Sequence, residues 1–149
     1  MFLMMVCLLA GLAMAPAMAD DALVSAATPI VDKLMNAMAT NNYEQYVQPW
    51  DPAMNIRTQL TKEAFSHQCQ QTKMMMGAMK SKSFYSIVDF SQGGQTYKVV
   101  QWKASFEKSP QPLYIRLVLS KKEGKYLVAG HWVKNVTMEQ DMKNAGQPR

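Results

Sequence analysis

His131 is the residue in this sequence best placed to do chemistry. It sits in a strand-like run, Tyr126 to Val133, in the same alternating row as Leu127, Ala129 and Val133. An ionisable ring in an apolar row is what a general base lining a pocket looks like. A core-edge imidazole bonded to a backbone carbonyl produces the same pattern and needs no ligand. Asp89 follows Ile87 on another strand-like run and is free to face either way, while Asp32 is offset from the apolar stripe of its helix. No two carboxylates are brought to one site by pattern, so no catalytic residue is assigned.

Metal chemistry has two candidates. His67 and Cys69 lie two apart in a helical pattern and project to different sides, which rules out one shared ion. Methionine is abundant, 14 in all, with Met74, Met75, Met76 and Met79 at one helix end and Met35 and Met38 on another helix. Thioethers suit a soft ion such as Cu(I). Three consecutive helical residues point in different directions, however, and Met fills irregular cores, so packing is the simpler reading. No metal and no cofactor is assigned.

The elements that must position these residues are legible. Ser83–Phe90, Thr96–Glu107, Leu113–Ser120 and Tyr126–Val133 are β-branched and aromatic runs punctuated by Gly93-Gly94, Pro110 to Pro112, and Glu123-Gly124. That spacing predicts a four-stranded antiparallel meander. Alternation places Val100, Trp102, Ala104, Phe106, Leu113, Ile115, Leu117, Leu119, Leu127, Ala129, His131 and Val133 on one face. Tyr97, Gln101, Lys103, Tyr114, Arg116 and Val118 fall on the other, a mixture suited to water or a partner.

Ahead of the meander, Leu23, Ala27, Ile30, Leu34 and Met38 form a helical stripe within 22–40, interrupted by Pro29. The helix either starts at Thr28 or runs longer through Pro29. A short helix over 43–48 follows, then a loop at Trp50-Asp51-Pro52. A third helix runs from an N-cap at Thr61 to Gly77, and Phe65, Cys69, Thr72, Met76 and Met79 fall on one face. His67 points towards water.

Residues 1–19 read as a signal peptide: Phe2 to Ala15 is almost wholly apolar, and Ala17-Met18-Ala19 offers the small residues of a cleavage site. No Lys or Arg precedes the apolar run, which leaves room for a start codon upstream of Met1. The expectation is therefore an exported, periplasmic or secreted protein with no stable membrane insertion after cleavage. Residues 20–135 form a single domain and 136–149 a polar tail. After residue 19, Cys69 is the one cysteine left, so no internal disulfide forms. The net charge of +5 comes from 16 basic and 11 acidic residues with no basic run of four. Dispersed charge of this kind does not point to nucleic acid.

Helices packed in the concave face of a bent four-stranded meander, an α+β cone, resemble the nuclear transport factor 2-like (cystatin-like) superfamily. The resemblance is carried by element order over 22–134, by Asn42-Tyr43-Glu44-Gln45-Tyr46 after the first helix, and by Gly124-Lys125-Tyr126-Leu127-Val128-Ala129-Gly130. It is similar to small exported bacterial members. The resemblance implies a cone-shaped pocket between the first helix and the sheet, and a homodimer through the sheet. It also implies that some members are isomerases, dehydratases or cyclases while many only bind, so fold alone does not assign activity. The expected function is a non-enzymatic binding or accessory domain that holds a small apolar ligand in its cone, at His131, Trp102, Leu117, Leu34 and Met38, or docks a protein partner. The alternative is a small isomerase or hydro-lyase with His131 as general base.

Overall fold

A computed structural model describes residues 20–146. The signal peptide expected at 1–19 lies outside the described residues. The chain forms α1 (Asp21–Ala39), α2 (Tyr43–Val47), a 3-10 turn (Pro52–Met54), α3 (Ile56–Gln59) and α4 (Lys62–Met76). β1 (Met79–Gln92), β2 (Gln95–Phe106), β3 (Leu113–Lys122) and β4 (Lys125–Lys134) follow, then α5 (Met138–Ala145). The strands pair antiparallel in the order β1-β2-β3-β4, so the α+β meander is as the sequence predicts.

Local chemistry sets the helix ends. Asp20 caps α1 by accepting the Leu23 N–H at 3.1 Å, Asn42 caps α2 through the Gln45 N–H, and Thr61 caps α4 through the Ala64 N–H. Pro29 lies inside α1, so the longer of the two expected helices is the one that forms. Gly77 ends α4 at φ +69°, a conformation that favours glycine.

One core fills the concave side. Leu23, Ala27, Val31 and Leu34 of α1 pack with Phe65 of α4 and with Trp102, Ile115 and Leu117 of the sheet. A second, smaller cluster of Val88, Val99 and Val118 lies on the convex side. Val118, expected among water-facing residues, is thus buried there.

Strand four departs from simple alternation. Val118 pairs with Gly130 but Leu119 pairs with Val128, so Ala129 is an extra residue in β4. The bulge shifts the phase by one. Val128 is fully buried in the main core, and Ala129 packs against the convex cluster instead. The expectation that Leu127 and Ala129 line the concave row is corrected to Tyr126 and Val128, whereas His131 and Val133 beyond the bulge keep their side. Gly130 meets a close approach: a Cβ there would run into the Trp132 indole ring.

The segment before α3 closes the free edge of β4. Val128 donates its N–H to Pro49 and accepts from the Asp51 N–H, a parallel bridge at Trp50. Asp51 is buried and accepts from the Ser120 hydroxyl at 2.8 Å and from the Lys122 ammonium at 2.9 Å. Burial works against its charge, but donors from Lys122, the Ala53 N–H and Ser120 together hold the carboxyl below its usual range.

The segment 136–149, read as a polar tail, contains an ordered helix. Thr137 and Gln140 form a reciprocal capping box that starts α5. The helix lies on the convex face through polar contacts, with Met138 packed against the Val88, Val99 and Val118 cluster. Gln101, fully buried, donates to Ser86 Oγ at 2.8 Å and to Glu139 at 2.9 Å, and accepts from the Met138 N–H at 2.7 Å. Arg116 donates to Asp141 at 2.9 Å, and Lys134 does so at 3.2 Å. Part of the convex surface is therefore covered by α5. Among the described residues no helix is long and apolar enough to cross a membrane.

Candidate functional site

The site begins with α2. Its cap at Asn42 turns the chain so that Tyr43 and Tyr46 point back into the core, three apart on one helical face. Tyr43 donates to the Leu60 carbonyl at 2.7 Å. Tyr46 packs its ring on Phe65 with centroids 4.8 Å apart, and its hydroxyl lies 3.0 Å from His131 Nδ1. His131, beyond the bulge at Ala129, keeps to the concave side against this tyrosine, at 6 % exposure.

Burial then decides the charge state of the pair. Desolvation pushes the His131 imidazole down to about 4 and pushes the Tyr46 phenol up, with the nearby Cys69 thiol adding to the latter. Burial also raises Cys69, to about 11. At neutral pH the cluster is an uncharged Tyr–His pair beside an inert thiol.

A cavity of about 40 Å³ opens beside this pair, between α1, α4 and β4. Met38, Tyr46, Gln68, Thr72, Met76 and His131 line it, together with the Trp132–Val133 end of β4. Gln68, Thr72 and Met76 are spaced by four along α4, which puts them on one stripe. Nδ1 of His131 is turned to Tyr46. Both Nε2 and the Thr72 hydroxyl are buried without a hydrogen-bond partner in the protein. A second cavity, about 10 Å³, touches the other side of His131 near Trp50, whose indole nitrogen is likewise unpartnered.

Of the residues expected to bind, His131 and Met38 meet at this cavity. Trp102, Leu117 and Leu34 do not line it; they are at most 2 % exposed and pack in the main core, because α1 sits directly on the sheet there. Tyr46, Thr72, Gln68 and Met76 belong to the site and were not among the expected residues. Tyr46 stands in the Asn42–Tyr46 phrase that carried the resemblance, and the four-residue spacing of Thr72 and Met76 marked one helical face. Neither signal shows that α2 and α4 converge on β4. Met74 and Met75 are exposed, at 74 % and 60 %, so core packing does not account for them.

Among the described residues no group of three His, Cys, Asp or Glu side chains is arranged to hold a metal ion. The chain matches no family model, no curated protein and no solved structure.

Proposed function

We propose that this chain is an exported, non-enzymatic binding or accessory domain of the nuclear transport factor 2-like kind, and that it binds a small ligand at the His131 cavity. One observation carries the reading: His131 and Thr72, each with a buried polar atom that no protein group satisfies, line the same small cavity. Buried polar groups are normally satisfied, and a water or ion held beside these two would satisfy them. The size narrows the ligand. About 40 Å³ is far below the ~300–1,000 Å³ of pockets for drug-sized molecules, so the occupant is of the order of a water molecule or a single ion.

The isomerase or hydro-lyase alternative has less to support it. A general base works best with a pKa near the working pH, and burial holds His131 near about 4. Its Nδ1 faces a phenol rather than a carboxylate that would stabilise the protonated ring. The space beside it is too small for an organic substrate.

Xenon is an inert probe of about the right size for an enclosed space. With methyl-labelled methionine, xenon pressure should shift the Met38 and Met76 signals and leave exposed Met74 and Met75 nearly still. Equal small shifts at all four, or none at Met38 and Met76, would remove the cavity as a binding site.

A further inference from the structure

We infer that two copies of this chain pair antiparallel through the free edge of β1, so that the two sheets continue into one another. The contact is separate from the His131 cavity and lies at the edge of the sheet rather than on its convex face. The two edges of the sheet are treated differently. The β4 edge is closed by the Pro49–Asp51 segment. β1 is the longest strand, at 14 residues. It has β2 on one side and, among the described residues, no backbone partner on the other. A row of unpaired N–H and C=O groups is a template for another strand. Phe84 and Tyr85, the exposed aromatic residues among those described, both stand on this strand, at 38 % and 46 % exposure.

The occupant is a second copy because β1 is complementary to itself. Tyr85 is an extra residue opposite β2, where the pairing shifts between Phe84 and Ser86. Its ring lies against Tyr114 at 5.2 Å, and Ser86 donates to Glu139 of α5, so both neighbours face the convex side. Four residues around them face the concave side. Lys82 reaches Asp32 of α1 at 2.9 Å, and Phe84 stands opposite the core residue Trp102. Ile87 is in the core, and Asp89 accepts at 2.6 Å from Lys98, which is paired with the core residue Leu119.

Paired residues share a face, so across this bulge an even-numbered residue must meet an odd-numbered one. Setting Tyr85 opposite Ser86 of the second copy satisfies this and engages the whole strand, with Met79 opposite Gln92. It also sets Phe84 opposite Ile87 and Lys82 opposite Asp89. Apolar then meets apolar, and Asp32, Lys82, Asp89 and Lys98 form a row of alternating sign that crosses from one copy to the other. Lysines and bulges often blunt an edge against pairing. Here the acidic half of the strand answers the basic half, and two opposed bulges keep the faces in step. The two-fold axis makes the contact closed, so it stops at a dimer.

Analytical ultracentrifugation of the exported chain over a wide concentration range should show a monomer–dimer equilibrium. Amides of β1 should gain exchange protection as concentration rises, and those of β4 should not. Phe84→Ser, at an exposed position, should weaken the dimer by ~10-fold, because each cross-strand pair occurs twice in a two-fold contact. Lys82→Glu and Asp89→Lys should each weaken self-association, since each sets like charges opposite one another. An equal mixture of these two variants should recover a heterodimer, which mixing two misfolded chains would not do. A monomer at every concentration would overturn the proposal. So would a dimer that Phe84→Ser leaves unchanged, or charge variants that associate no better mixed than alone.

Discussion

The two faces of the sheet are held by different physics. On the concave side α1, α2 and α4 bury apolar surface against Trp102, Ile115, Leu117 and Val128, and the buried Tyr46–His131 pair there is neutral. On the convex side α5 docks by directed contacts to Gln101 and Arg116, with the carboxylates of Glu139 and Asp141 as acceptors. Apolar burial is non-directional and stabilises the whole domain, whereas hydrogen-bonded charge fixes a position and responds to pH. A region built the first way holds the fold. One built the second way can detach without taking the fold with it.

The largest effect should come from Trp102→Ala. At 2 % exposure the indole is enclosed, and its removal leaves a cavity that costs ~3–5 kcal/mol, much of the stability of a typical domain. Chemical denaturation measures it. A melting temperature within a degree or two of the parent would show that the concave core is not what holds this fold.

Gln101, the next residue along, points the other way, so the same strand supplies the contrast. Gln101→Ala removes all three contacts of its carboxamide, at a cost of ~1–3 kcal/mol. Hydrogen exchange should show lost protection in α5 and at Met138 while α1 and β3 stay protected. Uniform loss would break the distinction between the faces.

Acid should act on α5 in the same selective way. Burial raises the Asp141 and Glu139 carboxyls, but Arg116 and Lys134 at the former, and Gln101 and Ser86 at the latter, outweigh it and hold both below their usual range. Their contribution is present above the unfolded values of ~3.9–4.3 and is lost as pH falls through the lower folded values. Helix α5 should therefore loosen in the most acidic part of a titration, followed by its exchange rates. Release already at neutral pH would contradict this.

The smallest effect sharpens the concave side. Thr72→Val replaces a buried, unpartnered hydroxyl with a methyl of similar shape, so stability should change by less than ~1 kcal/mol. A larger loss would place a strong structural hydrogen bond at that oxygen.

Much of this architecture was legible in the sequence. Strands two and three alternate cleanly, and the caps at Thr61 and Gly77 mark α4 to the residue. What escaped is specific. One inserted residue, Ala129, reverses the side of everything before it in β4, and nothing in the run from Tyr126 to Val133 distinguishes a bulge from continuous alternation. Helix α5 is eight residues of polar character with no buried residue, so its apolar pattern is silent; Thr137 and Gln140 in capping-box spacing were the signal for it. His131 was identifiable as an outlier. Its partner Tyr46 is 85 positions away, and only the folded chain brings the two together.

His131 is a buried, neutral imidazole and not a solvated base. Its imidazole titration, followed by nitrogen-15 NMR, tests that most directly. The ring should stay neutral across pH 5–8 and protonate with a midpoint at about 4. Because the unfolded chain binds that proton first, at ~6.5, stability should fall as pH drops from there towards the folded midpoint, and His131→Gln should lack this slope. A midpoint near ~6.5 in the folded protein would show a solvated imidazole, contradict the buried pair with Tyr46, and return His131 to the role of general base.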